Sequence, residues 1–333
     1  MRINLPVMLP LAAAVTIAVS PVSAASIDEI CKMGETEPQL VWYSSQGPAL
    51  AEAAVAAFAK VYPKIPVEQF RLATGALTAR YASERDGGVI NADLITMGDP
   101  NFSNAGFEKG WFVQFEKSEL PAVARLEDRW FDRGAAMTNI NVLGIAYNTD
   151  ITGANPPKGW EDLLRPEYKG KLTLGDPRNV PSYMALYRIL RDKYGPDYLK
   201  KLAAQEPVFF KSIVPGTQQL AAGAFAIAAP SVESVHRPVE EKGAPIKSFV
   251  PAMTTGNEFW SLLSVGADSP NAAKCFYNFL FTEAGQVAYG GDVSVSPFPD
   301  TPVTDSMPTE YRNPEFAELP KHAANVLELL NLR

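Results

Sequence analysis

Cysteine and histidine are scarce in this 333-residue chain, with two of each: Cys31 and Cys275, His236 and His322. The cysteines form no CxxC pair and no histidine stands near either, which argues against a zinc cluster or a thiol oxidoreductase. No GxSxG elbow occurs, and two late histidines offer little for a triad. A secreted hydrolase using Ser44 or Ser182 is therefore a remote alternative. Basic charge is also short, at 30 Lys and Arg against 37 Asp and Glu for a net charge of −7. That balance makes a poor general binder of DNA, RNA or anionic membranes. No internal repeat or low-complexity linker interrupts the chain.

What is present is apolar material: 47% of residues are hydrophobic and only 20% charged, enough to bury the cores of two domains. Residues 1–24 carry one early cation, Arg2, an apolar run from about Leu5 to Val19, and small residues Val22 and Ala24 spaced for signal peptidase. The run is too short and too weakly flanked for a membrane span. Cleavage after Ala24 leaves an exported protein of 309 residues, its net charge −8 once Arg2 is gone. In such a chain one cysteine pair points to a disulfide, Cys31 to Cys275, which in the chain-entropy account adds roughly 4 to 5 kcal/mol. The alternative is that both are small buried apolar residues.

Strands and helices alternate. QLVWYSS (39–45) reads as a strand followed by an alanine-rich helix from Ala49 to Val61; IPVEQFR is a second strand, and Thr74 or Gly75 opens a helix that Gly87-Gly88 ends. ADLITMGDP (92–100) is a third buried strand ending in a turn. NVLGIAYNTD (141–150) leads into a turn-rich crossover, after which a second alternation runs to IKSFV and a return strand EFWSLLSV (258–265). In PNAAKCFYNFLFTEAGQ (270–286), Ser269 is placed to cap a helix with Pro270 first, and Ala273, Phe276, Tyr277 and Leu280 make one apolar stripe. A last helix is expected from about Asn313 to Leu330. Alternation of this kind argues for α/β layers, and two lobes joined by crossings suit closure over a ligand.

Several stretches, in order from about residue 39 to 290, resemble the periplasmic solute-binding proteins of ABC transporters. They are VWYSSQG, GALTARYASERDGG, ADLITMGDPNFSNAGFEKGWFVQFEKSELP, IAYNTD, GWEDLLRPEYKGKLTLGDP, LAAGAFAIAAPSVES and SPNAAKCFYNFLFTEAGQ. The resemblance is to the branch that includes ferric-iron, polyamine, thiamine and phosphonate or sugar-phosphate binders. It implies a two-lobed α/β fold of the type II periplasmic binding protein class, each lobe a mixed sheet flanked by helices, with a hinge of crossing strands. The first lobe is then 25–143 plus 258–290 and the second 144–257 plus 291–333. It also implies a periplasmic, monomeric receptor with no catalytic activity and no cofactor, which hands its solute to a membrane permease and its cytoplasmic ATPase. A sensor-associated role is not separable from transport in the sequence.

Ligands of open α/β sheets sit at strand carboxyl ends, where helix N-termini and hydroxyls favour anions. The expected ligand-binding residues are accordingly Ser44, Ser45 and Gln46 after the first strand, Thr74, Gly75 and Ala76 at the second helix, and Gly98 and Asp99 after the third strand. From the second lobe come Arg178, Asn179, Ser182 and Tyr183, with Thr217 at another helix start; Tyr147 stands at the crossing and Trp260 either stacks on ligand or fills core. Arg178 is a candidate bidentate partner for a carboxylate or phosphate, or else a surface arginine paired with Asp176 or Glu161. Iron binders of the resembled branch carry adjacent tyrosines where this chain has Ser231, Val232 and Glu233, and no Tyr-Tyr pair occurs anywhere. Polyamine binding needs several carboxylates, for which Asp99 and Glu233 are the candidates. The rim of hydroxyls and glycines favours an anionic or polar organic solute such as a carboxylate, phosphonate or phosphate ester, with ferric iron or a polyamine as the alternative.

Overall fold

The computed structural model of the protein describes residues 25–302 and 307–332; the expected export signal, 1–24, lies outside them. After α1 (Ile27–Gly34) come three strand-to-helix units: β1 (Leu40–Ser44) to α2 (Pro48–Val61), β2 (Val67–Arg71) to α3 (Thr74–Asp86), and β3 (Leu94–Met97) to α4 (Pro100–Glu108). Then β4 (Phe131–Asp132) and β5 (Ala135–Val142) follow, and the chain crosses through Leu143 into β6 (Gly144–Asn148) and α5 (Thr149–Thr152). The second set is β7 (Leu172–Gly175) to α6 (Pro181–Tyr194) and α7 (Pro196–Ala204), β8 (Val208–Phe210) to α8 (Ile213–Ala221), β9 (Ile227–Ser231) to α9 (Glu233–Glu240), and β10 (Ile246–Phe249). The return is β11 (Met253–Thr254), β12 (Gly256–Leu263), α10 (Pro270–Leu280) and α11 (Glu283–Gly290). The chain ends with β13 (Glu310–Tyr311) and α12 (Leu319–Leu329).

These strands make two mixed sheets, ordered β2-β1-β3-β12-β5-β4 and β10-β6-β9-β7-β8, with β11 and β13 as a small third. β1, β2 and β3 are mutually parallel, as are β7, β8 and β9, while β12 runs antiparallel to β3 and β5. Each sheet has its own aromatic and aliphatic core. The first is built on Trp42, Phe58, Phe276 and Tyr289, the second on Trp160, Tyr187, Leu199 and Val326. Strands β3 and β5 are buried along their whole length, which accounts for their unbroken apolar or neutral-polar sequences.

Three sequence expectations change. Residues 295–298, after α11, pack with the first lobe instead of the second: Val295 and Ile140 exchange two backbone hydrogen bonds at 2.9 Å, and Phe298 packs in the first-lobe core. They take the edge of β5 left open beyond the two-residue β4. The last helix begins at Leu319, not Asn313, because Pro314 disfavours helix before it and Glu315 adopts a left-handed φ of 48°. Ser269 occupies the N-cap of α10, yet its hydroxyl donates to the Pro38 carbonyl at 2.8 Å. The cap comes from far away: the Glu37 carboxylate accepts from the Asn271 and Ala272 N–H groups at 2.9 and 2.8 Å, its charge favoured by the helix dipole.

That contact is one of three fixing α1 to α10. The helices approach so closely that a Cβ on Gly34 would lie 2.8 Å from the Ala272 backbone. Cys31 and Cys275 are disulfide-bonded with Cα atoms 5.0 Å apart, closing a sequence separation of 244 residues. The bridge ties the first segment of the lobe to its last helix pair. Reduction, or the Cys31→Ala/Cys275→Ala double variant, is expected to lower unfolding free energy by about 3 to 5 kcal/mol. Denaturant titration with and without dithiothreitol measures this.

Candidate functional site

Because three parallel strands of each sheet end on the same side, six strand-to-helix turns face one another across the gap between lobes. Residues 45–47, 72–73 and 98–99 follow β1, β2 and β3; residues 176–180, 211–212 and 232 follow β7, β8 and β9. The lobes touch directly at these turns. The Gly75 N–H donates to the Asn179 carbonyl at 3.0 Å, the Asn141 amide to the Ser234 hydroxyl at 3.0 Å, and Arg71 to the Ser212 hydroxyl at 3.3 Å. Ser182 hydrogen-bonds Asn257, and Arg237 forms ion pairs with Glu233 on its own helix and with Asp292 across the gap. This is the closed arrangement of two lobes.

The interior of the gap is uncharged and polar. Asn141, on the crossing side of β5, donates to the Gln46 side-chain carbonyl at 2.6 Å as well as to Ser234, and Gln46 in turn accepts from the Gly47 N–H at 2.7 Å. Thr74 donates to Ser45 at 3.1 Å. Burying such groups is costly unless they are hydrogen-bonded, and most here are. Two are not: the hydroxyls of Ser231, ending β9, and Thr255, preceding β12, are 1% and 0% exposed and have no hydrogen-bond partner among the described residues. Both flank the crossing, since Gly144 pairs with Ser231 and the Leu143 N–H donates to the Thr255 carbonyl.

A cation without a carboxylate partner among the described residues also enters this wall. Arg71, the last residue of β2, reaches across the gap with Nε on the Gln46 carbonyl and Nη1 on Ser212, both at 3.3 Å. Burial pulls its guanidinium below the ordinary value, opposed by the nearby Tyr183 phenol; no carboxylate contributes. The cation expected from the sequence behaves differently. Arg178 is half exposed, makes a two-pronged ion pair with Asp176 at 2.7 to 3.2 Å, and donates to the Leu332 carbonyl at 3.2 Å.

The other sequence candidates divide. Ser45, Gln46, Thr74, Gly75, Asn179 and Ser182 lie where the lobes meet, and buried Tyr183 stands beside Arg71. Ser44 points into the first lobe toward the Tyr289 hydroxyl, 3.5 Å away. Ala76 is exposed on α3. Gly98 follows β3 next to the Glu258 carbonyl with room for a side chain, and the Asp99 side chain caps α4 by accepting from the Phe102 N–H at 3.1 Å; desolvation raises its pKa. Thr217 is inside α8, donating to the Ile213 carbonyl at 3.0 Å, because that helix starts at Ile213 and not at Gly216. Tyr147 lies beyond the crossing on β6, opposite Lys247 and 6.5 Å from the Phe249 ring. Trp260 packs with Met137 and Ile140 on the first-lobe sheet. Residues the sequence reading passed over are Arg71, Asn141, Ser212, Ser234, Thr255 and Asn257. Arg71 alone had a legible signal: it ends a strand immediately before a helix start, the rule that selected Ser44 and Asp99.

With this geometry in view, residues 89–312 match the family model described as bacterial extracellular solute-binding protein, and the chain belongs to that family, the periplasmic binding components of ABC importers. Its members are binding proteins and not enzymes. An uncharacterized protein of Haemophilus influenzae is 26% identical over 262 residues, 74% of either chain. Among solved structures, the substrate-binding protein of an ABC transporter from Agrobacterium tumefaciens superposes with a TM-score of 0.77 at 17% identity, covering 90% of this chain and 96% of that one. The periplasmic binding protein AfuA from Actinobacillus pleuropneumoniae, with fructose-6-phosphate bound, gives 0.69 at 18%, covering 89% and 99%. These likenesses define the fold as the type II periplasmic binding protein class.

Closure depends on one missing side chain. A Cβ on Gly75 would fall 2.6 Å from the Asn179 carbonyl oxygen, a backbone atom that cannot swing aside. Gly75 sits in the first turn of α3, where alanine is a good helix former, so Gly75→Ala is expected to fold at least as stably as the parent. It should hold the lobes apart. Small-angle scattering will then give a larger radius of gyration for the variant under conditions where the parent is closed.

Proposed function

We propose that the protein captures a small anionic organic solute, a carboxylate, phosphonate or phosphate ester, between its lobes, and that Arg71 is the charge partner of the solute. The supporting observation is the Arg71 guanidinium: largely desolvated between two lobes and, among the described residues, bonded only to a carbonyl and a hydroxyl and without a carboxylate. An anion there forms charge-assisted bonds that neutral groups cannot match, and arginine presents its donors in the planar fork that carboxylate and phosphate oxygens fit. The helix starts at Thr74, Pro181 and Ile213 add positive potential from the same side. The uncharged wall of Ser45, Thr74, Asn141, Ser231, Ser234 and Thr255 suits a body bearing hydroxyl or carbonyl groups. AfuA, of the same fold, holds a sugar phosphate.

The alternatives have less behind them. Position 231 and its two successors are Ser, Val and Glu, and Glu233 is occupied by Arg237, so phenolate ligation of iron and carboxylate binding of a polyamine both lack their groups at this turn. Ligand contacts available only in the closed form draw the lobes together, and the closed form is what a permease with its ATPase recognises.

A thermal-shift panel of phosphate esters, phosphonates, carboxylates, polyamines and Fe(III) on the mature protein identifies the class, because a ligand of the folded state raises stability in proportion to log concentration above Kd. Only the anionic organics should shift the melt; a shift confined to polyamines or Fe(III) contradicts the proposal. For the best anion, Arg71→Ala is expected to lose about 2 to 4 kcal/mol of binding by calorimetry, roughly 30- to 800-fold. Arg178→Ala should stay within about threefold, since that side chain is already engaged by Asp176.

A further inference from the structure

A carboxyl group lies buried at the hinge with no role in the cleft chemistry above. Glu258, on the β12 strand of the first lobe, is 4% exposed, and its hydrogen-bond partner among the described residues is the Tyr311 hydroxyl, which donates to Oε1 at 3.0 Å. Tyr311 reaches in from the other side: its ring packs on the first-lobe cluster of Met137, Ile140, Val142 and Val295, while its strand is held elsewhere. It sits on β13, which pairs with β11, and β11 is fixed to the second-lobe core through Met253, whose carbonyl accepts from the Trp160 indole at 2.7 Å. The contact therefore spans the crossing at Thr254–Gly256.

Among the described residues no cation balances this carboxyl. The charged and titratable groups on the elements around it are Tyr311 itself, its neighbours Glu310 and Arg312, which pair with each other at 3.7 Å, and Asp99, which is turned into the start of α4. Arg188, which lines a cavity with Tyr311 and Arg312, is engaged by Glu315 at 2.8 Å and Asp192 at 3.4 Å. On β5 the register partner is Ile140. The Thr255 hydroxyl, the other polar group at this crossing, stands beside the Tyr311 phenol and adds no charge.

From this arrangement we infer that Glu258 and Tyr311 form a proton-operated clasp: the closed protein holds Glu258 as the neutral acid, so protons favour closure and solute capture. A buried carboxylate with a single hydroxyl for company is costly, whereas the protonated acid keeps the same hydrogen bond at no charge penalty. When the lobes part, Tyr311 withdraws with the second lobe and water reaches the carboxyl, which then ionises as an ordinary glutamate. Desolvation pushes the closed-state pKa up to about 7 from an ordinary 4.5. Because the closed state has the higher pKa, its advantage is complete below the open-state value and disappears as pH rises through about 7. Between pH 8 and pH 6 the ratio of closed to open protein should rise roughly tenfold.

The inference depends on lobe closure and not on which solute is bound, so it is tested on the mature protein without solute, the proton being the probe. Small-angle scattering between pH 6 and 8 should show the parent protein compacting as pH falls. Glu258→Gln, which carries a permanently neutral amide, should be equally compact at both ends, with thermal unfolding confirming that it is folded. A parent protein of constant dimensions, or a Glu258→Gln variant with the parent's pH response, overturns the clasp. Should Glu258→Gln not fold, Tyr311→Phe serves instead: without its donor the carboxyl is protonated more readily, so the compaction midpoint moves to higher pH, and an unmoved midpoint contradicts the assignment.

Discussion

Arg71 sets the terms for the cleft. A guanidinium taken largely out of water beside a carbonyl and two hydroxyl-bearing side chains carries a desolvation cost that a counter-charge offsets. The lobes bring it neutral hydrogen-bonding groups and helix N-termini but no carboxylate, so the electrostatic demand is left for a solute to meet. The same logic explains why the remaining wall is amide and hydroxyl: any fixed carboxylate close by would satisfy Arg71 internally and cancel its selectivity. Arg178 illustrates that outcome, since Asp176 two residues earlier already holds it.

Such a demand is useful only if the two sets of turns meet in register, which requires rigid lobes and a defined approach. The first lobe is stiffened where its chain enters and leaves: the Cys31–Cys275 bridge, the Glu37 cap on α10 and the close packing at Gly34 join α1 and the turn after it to α10. The approach is set by backbone contact at Gly75 and Asn179 and by the amide network through Asn141. At the hinge, Glu258 and Tyr311 couple that same motion to the protonation of one buried group.

Much of the fold was legible in the sequence because alternation of apolar strands and amphipathic helices is a local signal. The strands at 40–44, 67–71 and 94–97, the helix at 270–280 and the return strand before it all follow from periodicity and turn residues. What escaped were long-range choices. Ser269 has the right chemistry for a cap, but Glu37, more than 200 residues earlier, reaches the helix start first. Residues 291–302 carry no local mark that they complete the edge of β5, and the late start of α12 follows from Pro314 and the left-handed Glu315. Within the cleft, residue type was a weaker guide than position. Arg178 drew notice as an arginine before a helix, while Arg71, equally an arginine at a strand end, read as one more strand residue. Asn141, Ser231 and Thr255 become candidates only when the crossing strands are seen side by side.

The most direct measurement is the crystal structure of the mature protein closed on the solute it captures. An acidic group of that solute is predicted within about 3 Å of the Arg71 guanidinium, with the Ser231 and Thr255 hydroxyls bonded to the solute body. A metal ion or a polyamine in the cleft, or an anion seated away from Arg71, would contradict the assignment.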